Sequence, residues 1–178
     1  MKKFLTLAVV AIATLTASAQ VYLGGSLGVM RNDTKKTTDF TIAPEIGYNL
    51  GDNWAVGATI SYTHGTGEFM GMDDVELNNF TIAPYARYKF FKAVDDRLAL
   101  FIDGGFGIGF VKPKGGKNGS VYNIGFKPGI SFALNDHFTI LSHIGFLGYE
   151  GGKEGYAEKK FGLDFSSLNL NFGFYYTF

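Results

Sequence analysis

Apolar and polar residues alternate with a period of two through most of this chain. The clearest example is the C-terminal stretch FSSLNLNFGFYYTF, whose alternate positions are Leu168, Leu170, Phe172, Phe174, Tyr176 and Phe178. Successive side chains of a β-strand point to opposite faces, so this stretch predicts a strand with one apolar and one polar or small face. The apolar face is largely aromatic, and the chain ends on it.

The same alternation recurs in seven earlier segments and predicts eight strands in all. They cover residues 20–29, 38–50, 54–63, 78–90, 97–111, 120–134, 138–149 and 165–178. Longer polar connections at 30–37, 64–77, 112–119 and 150–164 alternate with short turns at 51–53, 91–96 and 135–137. This layout predicts an all-β fold, an eight-stranded antiparallel up-and-down transmembrane β-barrel with both chain ends on the side of the short turns.

An internal repeat supports the division into hairpins. FTIAPEIGYNL at residues 40–50 recurs as FTIAPYARYKF at 80–90, and more loosely as IGFKPGISFAL at 124–134. Each copy carries a proline on the apolar face: Pro44, Pro84 and Pro128. Because proline cannot donate to the hydrogen-bond ladder, we expect a bulge or kink at each of them.

The two faces of the predicted strands differ in charge. The apolar face carries no charged residue, whereas the opposite face carries Glu45, Arg87, Lys89, Asp103, Lys127 and His143 among many glycines. An eight-stranded lumen is only just wide enough for modest side chains. The bulky apolar face therefore fits lipid better than the interior of a soluble lipocalin-type barrel. Aromatic residues at the strand ends, such as Trp54, Tyr88 and Tyr122, fit the two membrane interfaces.

The N-terminus has the pattern of a secretion signal. Lys2 and Lys3 precede an apolar run at residues 4–16, and Ala17-Ser18-Ala19 forms a small-residue cleavage site. The run is shorter than the roughly 20 apolar residues that a membrane-spanning helix needs. We therefore expect a signal peptide at residues 1–19, cleaved near Ala19, and a barrel domain at 20–178.

Composition narrows the chemistry further. The chain has 25 glycines, no cysteine and a formal net charge of zero. Without cysteine, disulfides and thiolate chemistry are excluded. The predicted strands have neither a basic stripe nor an accessible platform for base stacking, so we expect no nucleic-acid binding. We expect no cofactor and no metal.

Together, these features resemble the small bacterial outer-membrane β-barrels of the OmpX, OmpA-transmembrane and OmpW type, and the F-T-I-A-P hairpins are similar to barrels of the Bacteroides group. The resemblance covers residues 20–178 and implies an outer-membrane location, contact with lipid and lipopolysaccharide, and a monomer. It also implies that Phe174, Tyr176 and Phe178 form the C-terminal signal that the barrel assembly machinery reads. It implies no particular activity.

The inward-facing charges have two interpretations: an ion or proton path, or a salt-bridge network that fills the lumen. We favour the network, because buried charges must pair and the lumen is narrow. We accordingly expect a structural or surface-interaction role, with a small-solute or hydrophobic-molecule channel as the alternative.

A lipid A-modifying enzyme ranks third, and we expect no enzymatic activity. His64 lies near the outer end of the third strand, in the same loop as Asp73, Asp74 and Glu76. These three carboxylates are a candidate cation site, but their spacing matches no calcium loop, and we expect a solvated loop instead. His143 and Ser142 fall on opposite faces and cannot form a dyad. Lys112, Lys114 and Lys117 lie in an outer loop, where they either contact lipopolysaccharide phosphates or are merely solvated.

Overall fold

The computed structural model describes residues 20–32, 37–69, 72–114, 116–153, 157, 159–164 and 170–178. The expected signal peptide at 1–19 lies outside this part of the chain. The strands are β1 (Val21–Asn32), β2 (Thr37–Asn49), β3 (Trp54–Phe69), β4 (Met72–Ala93), β5 (Leu98–Pro113), β6 (Gly119–Ala133), β7 (Phe138–Ile144), β8 (Phe146–Gly152), β9 (Lys160–Asp164) and β10 (Leu170–Thr177). No helix in the described residues is long and apolar enough to cross a membrane.

These strands form one closed sheet. Each of β1 to β6 pairs antiparallel with the next, β6 pairs with β7 and β8, and β10 pairs with both β7 and β1. The last pairing, from Tyr22↔Thr177 to Ser26↔Gly173, joins the two ends of the sheet. β7 and β8 together occupy the seventh position of the barrel, and β9 and β10 occupy the eighth. The predicted eight-stranded antiparallel barrel is confirmed.

The outer face of the barrel is apolar, as predicted. Large apolar side chains are exposed on the outside along the strands, including Phe110, Ile124, Phe172 and Phe174. The inner face carries a cluster of buried hydrophobic residues, namely Tyr22, Ala55, Phe101, Leu141 and Tyr175. An exposed apolar belt of this extent is suited to contact with lipid.

Several connections are shorter than predicted. The polar segment 64–77, expected to be a loop, is mostly a continuation of β3 and β4, which pair as far as Phe69↔Met72. The turn expected at 91–96 begins later, because β4 continues to Ala93 after a bulge at Phe90. Backbone pairing does not require apolar side chains, so a ladder can continue where the amphipathic pattern ends.

The outer half of the seventh position departs from simple alternation at Gly145. β6 pairs Gly129 with His143 but Phe126 with Leu147, a register shift of one residue. Gly145 has a φ of 94°, and the extra residue reverses the faces of the residues that follow in β8. Alternation continued from Phe138 predicts an outward Phe146 and an inward Leu147. Both predictions are wrong, because Phe146 is buried and Leu147 is exposed.

The prolines behave differently from one another. Residues 43–44 have no partner in the ladder of β2 with β3, and residues 83–84 have none in the ladder of β4 with β5. The register is the same before and after each of these gaps. The expected bulge at these two positions was therefore wrong, and a kink there stays a prediction. Pro128 lies where β6 passes from β7 to β8, beside the Gly145 bulge.

Candidate functional site in the barrel lumen

Arg87 and Asp103 form the centre of a polar cluster inside the barrel. They are direct partners across β4 and β5, and both are buried. Arg87 Nε lies 2.7 Å from Asp103 Oδ1, and Arg87 Nη2 lies 2.8 Å from Oδ2. This bidentate geometry is among the strongest arrangements of charged hydrogen bonds, and it fixes the orientation of both side chains.

Four further side chains extend this pair across the lumen. Arg87 Nη2 also lies 3.5 Å from Glu45 Oε1, and the Tyr85 hydroxyl donates to the same oxygen. The Tyr22 and Tyr85 hydroxyls are 2.6 Å apart. On the other side, His143 Nε2 lies 2.7 Å from Asp103 Oδ2. We call these six residues the lumen network.

The lumen network links five different strands. Its members lie on β1, β2, β4, β5 and β7, and several contacts join strands that are not neighbours in the sheet. Such contacts must cross the lumen because the wall itself connects only adjacent strands. The network therefore ties opposite walls together at one level of the barrel.

An aromatic layer lies directly beneath the network, toward the short turns. It consists of Tyr22, Ala55, Phe101, Leu141 and Tyr175. The rings of Tyr22 and Tyr175 are 4.8 Å apart, and His143 meets Phe101 edge-on at 5.3 Å. The Arg87 guanidinium lies 4.4 Å from the centre of the Phe101 ring, at the distance of a cation–π contact.

The large inner rings pack against glycines, most of them on neighbouring strands. Tyr22 covers Gly47, Tyr85 covers Gly57, Phe101 covers Gly129, and Phe146 covers Gly125 and Gly148. A β-carbon at any of these glycines would come within 3.0 Å of the ring above it. The inner glycines therefore make room for specific aromatic side chains rather than for an open lumen.

The other two predicted lumen residues stand apart from the network. Lys127 is the direct partner of Asp103 across β5 and β6, yet it remains exposed and forms no ion pair with a described residue. Lys89 lies below the aromatic layer, where it lines a chamber of about 440 Å³ that opens at the side of the short turns. Of the six charged or titratable residues predicted to face the lumen, four belong to the lumen network, and Lys89 and Lys127 do not.

The outer lysines occupy separate positions. Lys112 lies on β5 and is exposed, whereas Lys114 pairs with Glu76, with Nζ and Oε1 3.0 Å apart. Lys117 is exposed in the connection between β5 and β6. His64 Nδ1 contacts the Asn78 side-chain oxygen at 3.0 Å. The side chains of Asp73 and Asp74 lie outside the described residues, and the described ones contain no group of ligands for a metal.

The aromatic C-terminus is held on the outer surface at the end with the short turns. Phe174 is exposed, and Tyr176 packs edge-on against Phe138 and Phe178, with ring centres 5.0 Å and 5.1 Å away. The Phe178 amide donates to the Val21 carbonyl at 3.0 Å. The final residue thus takes part in closing the barrel.

Sequence reasoning did not single out the aromatic layer. Alternation placed its four large residues, Tyr22, Phe101, Leu141 and Tyr175, on the inner face, but the candidate lumen residues were the charged ones. The signal that identifies them is size, since each is a bulky residue on a face otherwise rich in glycine. Phe146 carried no such signal, because only the bulge turns it inward.

A closed antiparallel barrel with an apolar exterior and polar side chains on its inner face is the architecture of an integral outer-membrane protein. The chain belongs to the outer membrane protein beta-barrel domain family, whose model matches residues 4–178. Its family places it in the bacterial outer membrane.

The fold is similar to that of one solved small barrel, and a second solved barrel has a lower score. The N-terminal β-barrel domain of Pseudomonas aeruginosa OprF is similar, with a TM-score of 0.52 and 14% identity over 90% of this chain and 98% of that domain. Yersinia pestis outer membrane protein Ail has a TM-score of 0.48 and 16% identity, over 90% and 100% of the two chains. Comparison with curated proteins gives no significant sequence match.

Proposed function

We propose that this protein is a non-conducting outer-membrane barrel whose role is structural or lies in surface interactions. The observation that carries the proposal is the lumen network stacked on the aromatic layer. Together they bring side chains from opposite walls into contact at one level. A lumen of this width crossed by paired, buried side chains leaves no continuous water column.

The alternative is a small-solute channel, and one observation favours it. Lys127 lies deep in the barrel yet keeps accessible surface, which indicates open space in the lumen beside it. The chamber lined by Lys89 admits water from the opposite end. Conduction requires these two spaces to join, and the lumen network and aromatic layer lie between them.

Planar-bilayer recording tests the proposal. Refolded wild-type protein is expected to give no discrete current steps. A Tyr22→Ala/Phe101→Ala variant, which removes two rings of the aromatic layer, is expected to give them. Phe106→Ala, which shortens an outward side chain, is the matched control and stays silent. Reproducible openings of the wild type would overturn the non-conducting barrel, provided heat-modifiable gel mobility shows each protein to be folded.

We further propose that the chain contacts lipopolysaccharide through its outer lysines and is read by the assembly machinery through Phe174, Tyr176 and Phe178. The position of Phe178 beside the barrel seam supports the second part. Deleting Phe178 is expected to lower surface yield strongly while leaving the unfolding midpoint of refolded barrel nearly unchanged. Wild-type surface yield of the deletion variant would count against the signal.

The N-terminal signal belongs to the same proposal, because the remainder of the chain forms a barrel that must be exported. Cleavage after Ala19 predicts a mature chain beginning at Gln20. Intact-mass measurement of the protein from outer membranes checks this, and a retained Met1 would contradict it.

A further inference from the structure

The chamber at the end of the barrel with the short turns carries charges that the lumen network does not use. We call it the turn-side chamber. Its volume is about 440 Å³, and the residues around it include Lys89, Lys92, Arg97, Asp52 and Asp96. Tyr175 and Ala99 also line it, so the aromatic layer closes its inner end. The chamber is therefore a pocket with one entrance.

The entrance of the chamber carries charges of both signs, whereas its inner part carries only lysines. Asp52, Asp96 and Arg97 lie in the exposed turns at the entrance. Lys89 and Lys92 lie further in on β4 and are only partly exposed. No ion pair within 4.0 Å joins any of these five to another described residue, in contrast to the fully paired Arg87 and Asp103. The inner part of the chamber is therefore cationic.

Lys89 has a particular need for an anion. It lies two residues from Arg87 on the same inner face, and the carboxylates nearest to Arg87 are already bound to that guanidinium. Asp52 and Asp96 attract Lys89 from the entrance, but neither comes within ion-pair distance of it. A cation held partly out of water beside another cation is unfavourable unless an anion compensates it.

Ser131 provides a second, independent indication. Its side chain lines the chamber and it is only 6% exposed. Within the part of the chain that the structure describes, its hydroxyl has no hydrogen-bond partner. A buried hydroxyl of this kind normally finds a partner, so it is available to a ligand inside the chamber.

We propose that the turn-side chamber binds the phosphoryl group of a small soluble solute, with Lys89 and Lys92 as charge partners and Ser131 as a hydrogen-bond donor. The volume falls within the range of small-molecule sites. Phosphoryl oxygens accept strong hydrogen bonds from ammonium groups and hydroxyls. Because the short turns face the periplasm in such barrels, the solute reaches the chamber from that side. This direction rests on the proposed function as an outer-membrane barrel.

Titration with inorganic phosphate at constant ionic strength tests this site. The readout is the amide chemical shifts of refolded barrel in a sugar-headgroup detergent. Saturable shifts are expected at Ser131, Ala133 and Thr139. Lys89→Met should weaken binding about tenfold, and Ser131→Ala should weaken it several-fold. Lys114→Met, a lysine at the opposite end of the barrel, is the control and should bind as the wild type does.

Shifts that do not saturate, or that persist unchanged in Lys89→Met, would overturn the site. Repeating the titration in nanodiscs of anionic phospholipid distinguishes sources: saturable binding there supports a soluble solute, and its loss would assign the pocket to a lipid headgroup instead. Because no current is measured, a barrel that conducts and still binds phosphate would contradict only the non-conducting function.

Discussion

Arg87 is the residue on which the inner side chains converge. It contacts Asp103 and Glu45 by charge and the rings of Tyr85 and Phe101 by its flat face. A guanidinium suits this position because it donates in several directions and stacks on aromatic rings at the same time. The cost of burying it is offset only while its carboxylate partners remain in place.

Removing the negative charge of Asp103 tests this dependence. Asp103→Asn leaves Arg87 and His143 without their shared partner and should lower the free energy of unfolding by about 3–5 kcal/mol. Glu76→Gln, which breaks the exposed pair with Lys114, should cost about 0–1 kcal/mol. Urea unfolding of the refolded barrels in detergent measures both losses. Equal losses would show that the Arg87–Asp103 pair stabilises the barrel no more than the exposed pair does.

A second prediction concerns the glycines that contact aromatic rings inside the barrel. Gly129→Val places a branched side chain where the Phe101 ring lies and should lower the free energy of unfolding by about 1–3 kcal/mol. Gly162→Val is the matched control, since nothing lies within 4 Å of a β-carbon there. Unfolding midpoints that fall equally for the two variants would contradict the close ring-on-glycine packing.

Among the elements, the β7–β8 pair departs most from the pattern of its sequence. The single extra residue at Gly145 lets Phe146 cover Gly125 and Gly148 inside the barrel. A left-handed backbone at this point favours glycine, since other residues pay about 1–2 kcal/mol to adopt it.

Gly145→Ala should therefore destabilise the barrel by about 1–2 kcal/mol. Gly28→Ala serves as the control, because a β-carbon there meets only an ordinary contact with Thr41 at 3.5 Å. Thermal unfolding of both variants in the same detergent gives the comparison. A Gly145→Ala barrel as stable as Gly28→Ala would argue against the bulge.

The positions and faces of the strands were predictable, because one face of each strand meets lipid and the period of two is therefore strong. The far ends of β3 and β4 were not, since a polar hairpin pairs through its backbone alone. The inward direction of Arg87 and Asp103 followed from alternation. Their contacts with Glu45 and His143 did not, because they depend on how far each strand is staggered around the barrel.

At the scale of the whole molecule, an uncharged apolar belt surrounds a polar interior. Trp54, the only tryptophan of the chain, lies at the start of β3 with its ring 4.7 Å from that of Tyr88, and it is exposed on the outside. This is the position of the aromatic girdle at the interface on the side of the short turns.

Trp54 fluorescence reports on this placement directly. In barrels refolded into bilayers, lipids brominated near the headgroup should quench it more than lipids brominated at the chain ends, because the ring lies near the interface. Trp54→Phe supplies the background signal. Emission quenched mainly by a water-soluble quencher, and hardly by either lipid, would contradict the membrane-embedded belt.

The central claim is that side chains separate the inside of the barrel into two compartments. Because the chain has no native cysteine, single cysteines can report on each compartment. Asn49→Cys lines the turn-side chamber, and Ser61→Cys lies on the inner face of β3 beyond the lumen network.

The deciding measurement is labelling of these two cysteines in oriented vesicles by a small membrane-impermeant maleimide added on one side. Reagent on the side of the short turns should label Asn49→Cys and spare Ser61→Cys, and reagent on the outer side should do the reverse. Labelling of both positions from one side would contradict the closed barrel.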